Sequence, residues 1–453
     1  MSKPLFSLTG LFLLAASAVA PANDGLIVDK HIAIMRHGVR PQTNSKKLEA
    51  YPQTAWPKWD VADGMLTAHG AAAARRLAEF EVTMLREEGL VPASGCPAPG
   101  TVFGWANGAV RRTIDTGNVL LESMFPGCGL SVGHNQVTAV DPLYAASDVA
   151  LGAIDPDTAK AAILAAAGGG FDALQAKAAP LMRELEAMLG CEGKDSPCSM
   201  TNRPWKIKVQ PADADHPAEV SVKGPIDEAG TLVQVFLLQY ANGFPLDQVA
   251  FGTVKGAEDI IRLSALRQIK YDIGNRVPYL ARRDASNFLN QILLSLAAEP
   301  AGAATEAGAA KDGARSTKGS DDPVPAENGP GKAHFALFMA SDTQQAEVAT
   351  MLGLHWHIPP YLDDETPPTG ALTFERLHNE KGKAYVRLGF IAPTLDQIRE
   401  ASVLDRAHPP LMARIDITGC EAESQDGACP LERFMTIARA TLDPTAIAPQ
   451  LYH

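Results

Sequence analysis

Short apolar strands that alternate with amphipathic helices restrict this chain to a layered architecture. Residues 31–36, His-Ile-Ala-Ile-Met-Arg, make an apolar run too brief for a core helix, and Gly38 follows at once. Thr67 then stands where a helix cap is wanted. Behind it, 68–88 carries Leu77, Phe80, Met84 and Leu85 on one face, with Gly89 as the stop. Residues 101–106 read as the next strand and 112–124 as the next helix. This order and spacing predict an α/β fold: a layered mixed sheet flanked by helices. Residues 335–340, 385–390 (on period two) and 411–417 supply later strands.

Between 156 and 271 the character changes. Alanine-rich 156–167 and 171–189, then 226–241 and 260–271, all read as helices. Asp155 is placed to cap the first of them, and Pro156 occupies its first position. The prediction is an inserted, mostly helical subdomain over 156–271 within an α/β domain made of 23–155 and 272–453. A helix near 287–296 returns the chain to the sheet. Residues 298–332 hold almost no large apolar group and read as a flexible loop within the α/β domain. With 453 residues, 46% of them hydrophobic, two such units and a substantial core are within reach.

The first 22 residues have the pattern of a signal peptide. Lys3 is followed by an apolar stretch over 5–20 and by Ala20-Pro21-Ala22, after which cleavage is expected. That stretch is short for a membrane span, and no later one approaches 18 uncharged apolar residues. Six cysteines allow fifteen pairings, and none has the tight double spacing of a zinc site. The sequential pairing, Cys96–Cys128, Cys191–Cys198 and Cys420–Cys429, closes one medium and two short loops, each worth about 2–4 kcal/mol. An oxidising compartment favours it, and together these signals predict a soluble bacterial periplasmic protein. A formal charge of −12 argues against nucleic acid or an anionic membrane as partner. It leaves room for a small anion held by a local arginine cluster.

Such a cluster follows the first strand: Arg36-His37-Gly38-Val39-Arg40. Sheets of this class place ligands beyond the C-terminal ends of their strands. Gly38 permits a tight turn there. Two guanidinium groups suit a phosphate or carboxylate, and their charges oppose protonation of His37, keeping its ring neutral and nucleophilic in mild acid. Arg111 and Arg112 open the second predicted helix, and one of them is expected at the same sheet edge. Ser341 and Asp342 follow the strand at 335–340. Asp342 either caps the next helix or protonates a leaving group, and Ser341 is a phosphate ligand or a second cap.

The chain resembles the histidine acid phosphatases, the secreted branch of the histidine phosphatase superfamily, and within it the bacterial periplasmic glucose-1-phosphatases and phytases. The resemblance rests on Arg36-His37-Gly38-Val39-Arg40, Arg112-Thr113-Ile114-Asp115-Thr116, Phe125-Pro126-Gly127-Cys128 and Asp141-Pro142-Leu143. It extends over Leu238–Ala250, Pro367-Pro368-Thr369-Gly370 and Phe374-Glu375-Arg376, and spans nearly the whole mature chain. It implies a phosphoglycerate-mutase-like fold and a phosphomonoesterase active in acid on sugar phosphates or inositol polyphosphates. By the same match His37 is the nucleophile, Arg36, Arg40 and Arg112 clamp the phosphoryl oxygens, and Asp342 is the general acid. Thr43 is implied to lie near the substrate. The implied partner is a phosphorylated small molecule. No cofactor and no metal are implied, since arginines take over a metal's electrostatic role; the oligomeric state is left open.

One position departs from the family. Its histidine–aspartate pair reads Ser341-Asp342 here. An oriented phosphate donor of that kind is worth about 3–4 kcal/mol, or 10²–10³ in rate. The alternative to an enzyme is therefore a catalytically weakened phosphate- or phosphosugar-binding protein.

Overall fold

A computed structural model describes residues 25–51, 55–137, 139–193, 196, 198–214, 216–301 and 329–452. The expected signal peptide and most of the expected loop at 298–332 lie outside the described residues.

The chain enters on β1 (Ile27–Arg36), longer by four residues than its apolar run suggests. Thr67 caps α1 (Ala68–Glu87), its hydroxyl accepting from the Gly70 amide. Then come β2 (Val102–Ala106), α2 (Arg111–Met124) and the short β3 (Gly133–His134). The middle segment holds α3 (Pro156–Ala166), capped by Asp155 as expected, and α4 (Asp172–Leu189). It also holds a hairpin that the alanine-rich composition concealed, β4 (Lys206–Gln210) and β5 (Glu219–Lys223). After α5 (Pro225–Ala241), the single helix expected over 260–271 is two, α6 (Ala257–Leu263) and α7 (Ala265–Asp272), broken at Ser264. The Ser264 hydroxyl donates back to the Ile260 carbonyl, a bond that competes with the regular ladder.

Helix α8 (Pro278–Ala297) begins well before the apolar stretch that signalled it, because its first turns are polar and Pro278 pre-sets the start. β6 (Phe335–Ala340) and α9 (Asp342–Leu352) follow, then β7 (Ala371–His378) and β8 (Ala384–Ala392). The chain closes with α10 (Leu395–Glu400), β9 (Leu411–Ile415), β10 (Cys429–Pro430) and α11 (Leu431–Thr441).

Among the described residues the main sheet has eight strands in the order β10-β8-β7-β1-β6-β2-β3, with β9 beside β8. Strands β1, β6, β2 and β3 run parallel, while β7 to β10 join antiparallel. Successive side chains of β1 go to opposite faces. Ile32 and Ile34 join Phe338 and Phe374 and are continuous with Ile226, Phe236 and Leu266 from the middle segment. Ala33 and Met35 pack with Leu77, Leu121 and Met339 under α1 and α2. Leu77 and Leu121 are essentially inaccessible, and each fully buried leucine is worth about 1.5–3 kcal/mol.

The three expected disulfides are present: Cys96–Cys128, Cys191–Cys198 and Cys420–Cys429. The first ties the end of α2 to the loop before β2. No described helix is long and apolar enough to cross a membrane.

Candidate active site

Strands β1 and β6 end level, Arg36 opposite Ala340, and the His37 amide donates to the Ala340 carbonyl at 3.3 Å. On the other side of β6, the Asn107 amide beyond β2 donates to the Met339 carbonyl at 3.1 Å. Three parallel strands thus deliver their C-terminal ends to one edge, where loops and helix starts meet.

The loop after β1 is wedged between two helix starts. The Gly38 amide donates to Thr116 Oγ1 at 3.1 Å, and that hydroxyl donates to the Arg112 carbonyl at 2.7 Å. A Cβ on Gly38 would stand 2.8 Å from Leu66 Cδ1, and one on Gly70 2.5 Å from the Val39 carbonyl oxygen. Gly38 has no left-handed backbone. The turn expected of it is instead a close approach to α1, which Gly70 shares.

His37 is 1% exposed, and its Nδ1 lies 2.9 Å from the Gly38 carbonyl oxygen. A carbonyl can only accept, so Nδ1 carries the proton and Nε2 keeps its lone pair. Nε2 is buried with no hydrogen-bond partner. Burial, followed by the charges of Arg112, Arg40 and Arg36, holds the imidazole well below its ordinary pKa. The ring stays neutral in acid.

Each of those arginines keeps a donor in reserve. Arg36 gives Nη1 to the Thr366 carbonyl, Arg40 gives Nη1 to the Pro41 carbonyl at 2.9 Å, and Arg112 Nη1 reaches the Gly64 carbonyl at 3.5 Å. The Nε of all three is buried without a partner. Burial and then Arg112 push Arg40 down to about 9, still a cation at neutral pH. Unmet buried donors cost about 1–3 kcal/mol each, and a bound tetrahedral anion would offset that cost. Arg111, by contrast, is 66% exposed and pairs with Asp115 on its own helix.

Asp342 is the first residue of α9, not its cap. Its Oδ2 lies 3.3 Å from Arg36 Nη2 and accepts from Arg267 Nη2. Burial would raise its pKa, but Arg36 and then Arg267 hold the carboxyl well below the usual carboxylate range. The cap is Ser341. Its hydroxyl accepts from the Thr343 amide and donates to Gln344 Oε1 at 2.7 Å, while the Ser341 amide donates to the same Gln344 oxygen at 3.0 Å. The proton expected for phosphate is spent on Gln344. Thr43 is exposed and faces Arg112 across Gly64: the Cβ position of Gly64 is 3.7 Å from Thr43 Cγ2 and 3.5 Å from Arg112 Nη1.

Sequence reasoning missed Arg267. It reaches Asp342 with one guanidinium nitrogen and Glu365 Oε1 with the other at 3.3 Å, and it lies 4.2 Å over the Tyr271 ring. Gln268 Nε2 donates to Glu365 Oε2 at 2.6 Å, which fixes the far end of the chain of contacts. Ile260, Leu263, Arg267 and Tyr271 share one helical stripe, so a lone charge among apolar neighbours was the available signal.

A cavity of about 610 Å³ between the β4–β5 hairpin and α8–α9 is lined by none of the three reserved arginines. Asp148, Asp284 and Glu347 face it together with Lys223 and Lys270.

A family model of the histidine phosphatase superfamily, branch 2, matches residues 28–390. The chain is 28% identical over 443 residues to phytase AppA of Escherichia coli (strain K12), covering 94% of this chain and 95% of that protein. It is 26% identical over 457 residues to the glucose-1-phosphatase of Salmonella typhimurium, covering 96% and 98%. The solved structure of Hafnia alvei phytase in complex with tartrate superposes with a TM-score of 0.82 at 27% identity, covering 94% of this chain and all of that one.

Proposed function

The chain belongs to the histidine phosphatase superfamily, branch 2, and on that footing we propose that it hydrolyses phosphomonoesters through a phosphohistidine at His37. The observation that carries this reading is the unpartnered His37 Nε2, held in the field of Arg36, Arg40 and Arg112, each of which keeps an unpartnered Nε. An ester phosphate seated among these arginines presents its phosphorus to the Nε2 lone pair. A P–N bond forms as the P–O ester bond breaks. The three guanidinium groups oppose the charge on the non-bridging oxygens, and Asp342 hands a proton to the departing alkoxide. Water then attacks phosphorus and releases His37 and inorganic phosphate.

In the free protein Asp342 is ionised, so the proton has to arrive with the substrate. A phosphomonoester below its second pKa, about 6, brings one in. Its negative charge offsets Arg36 and Arg267 and lets that proton settle on Asp342. Activity in acid follows from this and from a His37 that resists protonation.

The phytase and glucose-1-phosphatase relatives support phytate and glucose 1-phosphate as substrates, and Hafnia alvei phytase has been solved with myo-inositol hexakis sulphate. The signal-peptide pattern and the three disulfides support a periplasmic location. Hydrolysis of phytate, glucose 1-phosphate and p-nitrophenyl phosphate from pH 3 to 7 tests the proposal. Turnover of at least one natural ester with an acidic optimum is expected. Phosphate affinity without turnover of any of the three would favour the weakened binding protein.

The Ser341 cap leads to a separate expectation. Ser341→Ala should lower stability by about 1 kcal/mol through loss of the cap, while kcat/KM changes less than about threefold. Thermal melts and steady-state rates measured together check this. A loss near a hundredfold in kcat/KM would return Ser341 to phosphate binding.

A further inference from the structure

On the opposite face of the sheet from Arg36, α1 runs over a second cavity, of about 320 Å³. His31, Glu81, Glu88 and Glu375 line it. His31 precedes Arg36 by five residues on β1, which places it about 16 Å back along the strand. It shares its face with Ala33 and Met35, under α1. Glu375 is its register partner on β7. Glu81 and Glu88 lie two helical turns apart, so α1 presents both to the same space.

The polar atoms here are only partly spent on one another, His31 and Glu375 making an ion pair when the imidazole is protonated. His31 Nδ1 stands 3.6 Å from Glu375 Oε1, beyond hydrogen-bond length, and has no hydrogen-bond partner. Arg387 Nε binds the other oxygen of Glu375 at 2.6 Å, which leaves Oε1 for the cavity. Glu81 is only 6% exposed, and its Oε2 has no partner either. One ligand atom each from His31, Glu88 and Glu375 lie within 4.8 Å of one another. A buried carboxylate oxygen without a donor is costly, and a cation is the simplest group that would satisfy several such atoms together.

We propose that His31, Glu88 and Glu375 bind a divalent transition-metal ion, best matched by zinc, with Glu81 as a fourth ligand or as acceptor for a metal-bound water. An imidazole among carboxylates suits zinc better than magnesium or calcium, which prefer oxygen alone. Zinc places its ligand atoms about 3.3–3.6 Å apart, so the three must close by about 1 Å. Glu88 follows the last residue of α1, where side-chain torsions can supply that closure. The ion would staple the end of α1 to β1 and β7. It lies on the wrong face of the sheet to touch substrate at His37, so its part is structural.

In sequence these residues are scattered over three distant elements, which is why no metal motif was visible. The experiment starts from full-length protein stripped with a chelator and dialysed. Calorimetric titration with ZnCl₂ at pH 7 should give one ion per chain. Zinc at about 100 times its Kd should raise Tm by about 2–4 °C. Glu88→Gln should weaken binding at least about tenfold and abolish the gain in Tm, and His31→Gln should do the same. Should His31→Gln fail to fold, Glu88→Gln decides alone. Absence of stoichiometric binding overturns the proposal. So does binding of unchanged affinity in Glu88→Gln, which would assign the ion to exposed histidines such as His355 or His357.

Discussion

Replacing His37 with alanine should lower kcat/KM by on the order of 10⁴-fold or more, because removing the nucleophile of a cooperating group costs nearly as much as removing the group. Thr366 Oγ1, on the residue whose carbonyl accepts from Arg36, is also buried without a partner, but a neutral hydroxyl is a far weaker nucleophile than an imidazole. Wild-type protein mixed rapidly with labelled ester should yield label on His37. Phosphohistidine is acid-labile, so the quench must be alkaline. The same variant has a stability signature. Folded His37 has a depressed pKa, so below about pH 6.5 the unfolded chain takes up a proton that the folded one refuses. That costs the wild type about 1.4 kcal/mol per pH unit until its folded pKa is reached. His37→Ala should therefore lose less stability than wild type between pH 7 and 5, as melts at both pH values would report. Wild-type turnover in this variant would remove His37 from the chemistry altogether.

What was legible in the sequence was what local patterns encode. Residues 335–340 form a strand with the limits that their unbroken apolar run and the following Ser341-Asp342 suggest. Helix α1 begins where Thr67 offers its hydroxyl. Strand β7 went unseen because both its faces are covered, so its apolar and polar residues do not alternate cleanly. The site divides the same way. Arg36, His37 and Arg40 lie within five consecutive residues at the end of one strand. Arg267 reaches Asp342 across 75 positions of sequence, and the cluster of His31, Glu88 and Glu375 draws on three separate places in the chain. Ser341 was open to two readings, phosphate ligand or helix cap, and the structure has it as the cap. Its family position drew attention to phosphate, but the residue three places on, Gln344, already marked a capping box.

Asp342→Asn should separate proton donation from phosphate binding. A sugar alkoxide is a poor leaving group and needs nearly a full proton, whereas p-nitrophenolate needs little. For glucose 1-phosphate kcat should fall by about 10²–10⁴-fold, but for p-nitrophenyl phosphate by less than about tenfold. The substitution also removes the anion between Arg36 and Arg267. That exposes two buried cations to each other and is expected to cost about 3–5 kcal/mol of stability, so a folding control is required. The site supplies one. With Asp342 neutral, inorganic phosphate meets an uncompensated positive pocket and should inhibit competitively at least as tightly as in wild type. A destabilised, misfolded variant would instead lose phosphate affinity and both activities together. The pH profile carries the same logic further. If the substrate brings the proton, wild-type kcat/KM for glucose 1-phosphate should decline above about pH 6, where the ester loses its second proton. An ester with a lower second pKa should shift that decline downward by the same interval. A decline fixed in pH regardless of the ester would mean that the protein supplies the proton, and equal losses on both substrates in Asp342→Asn would make Asp342 a positioning residue for Arg36.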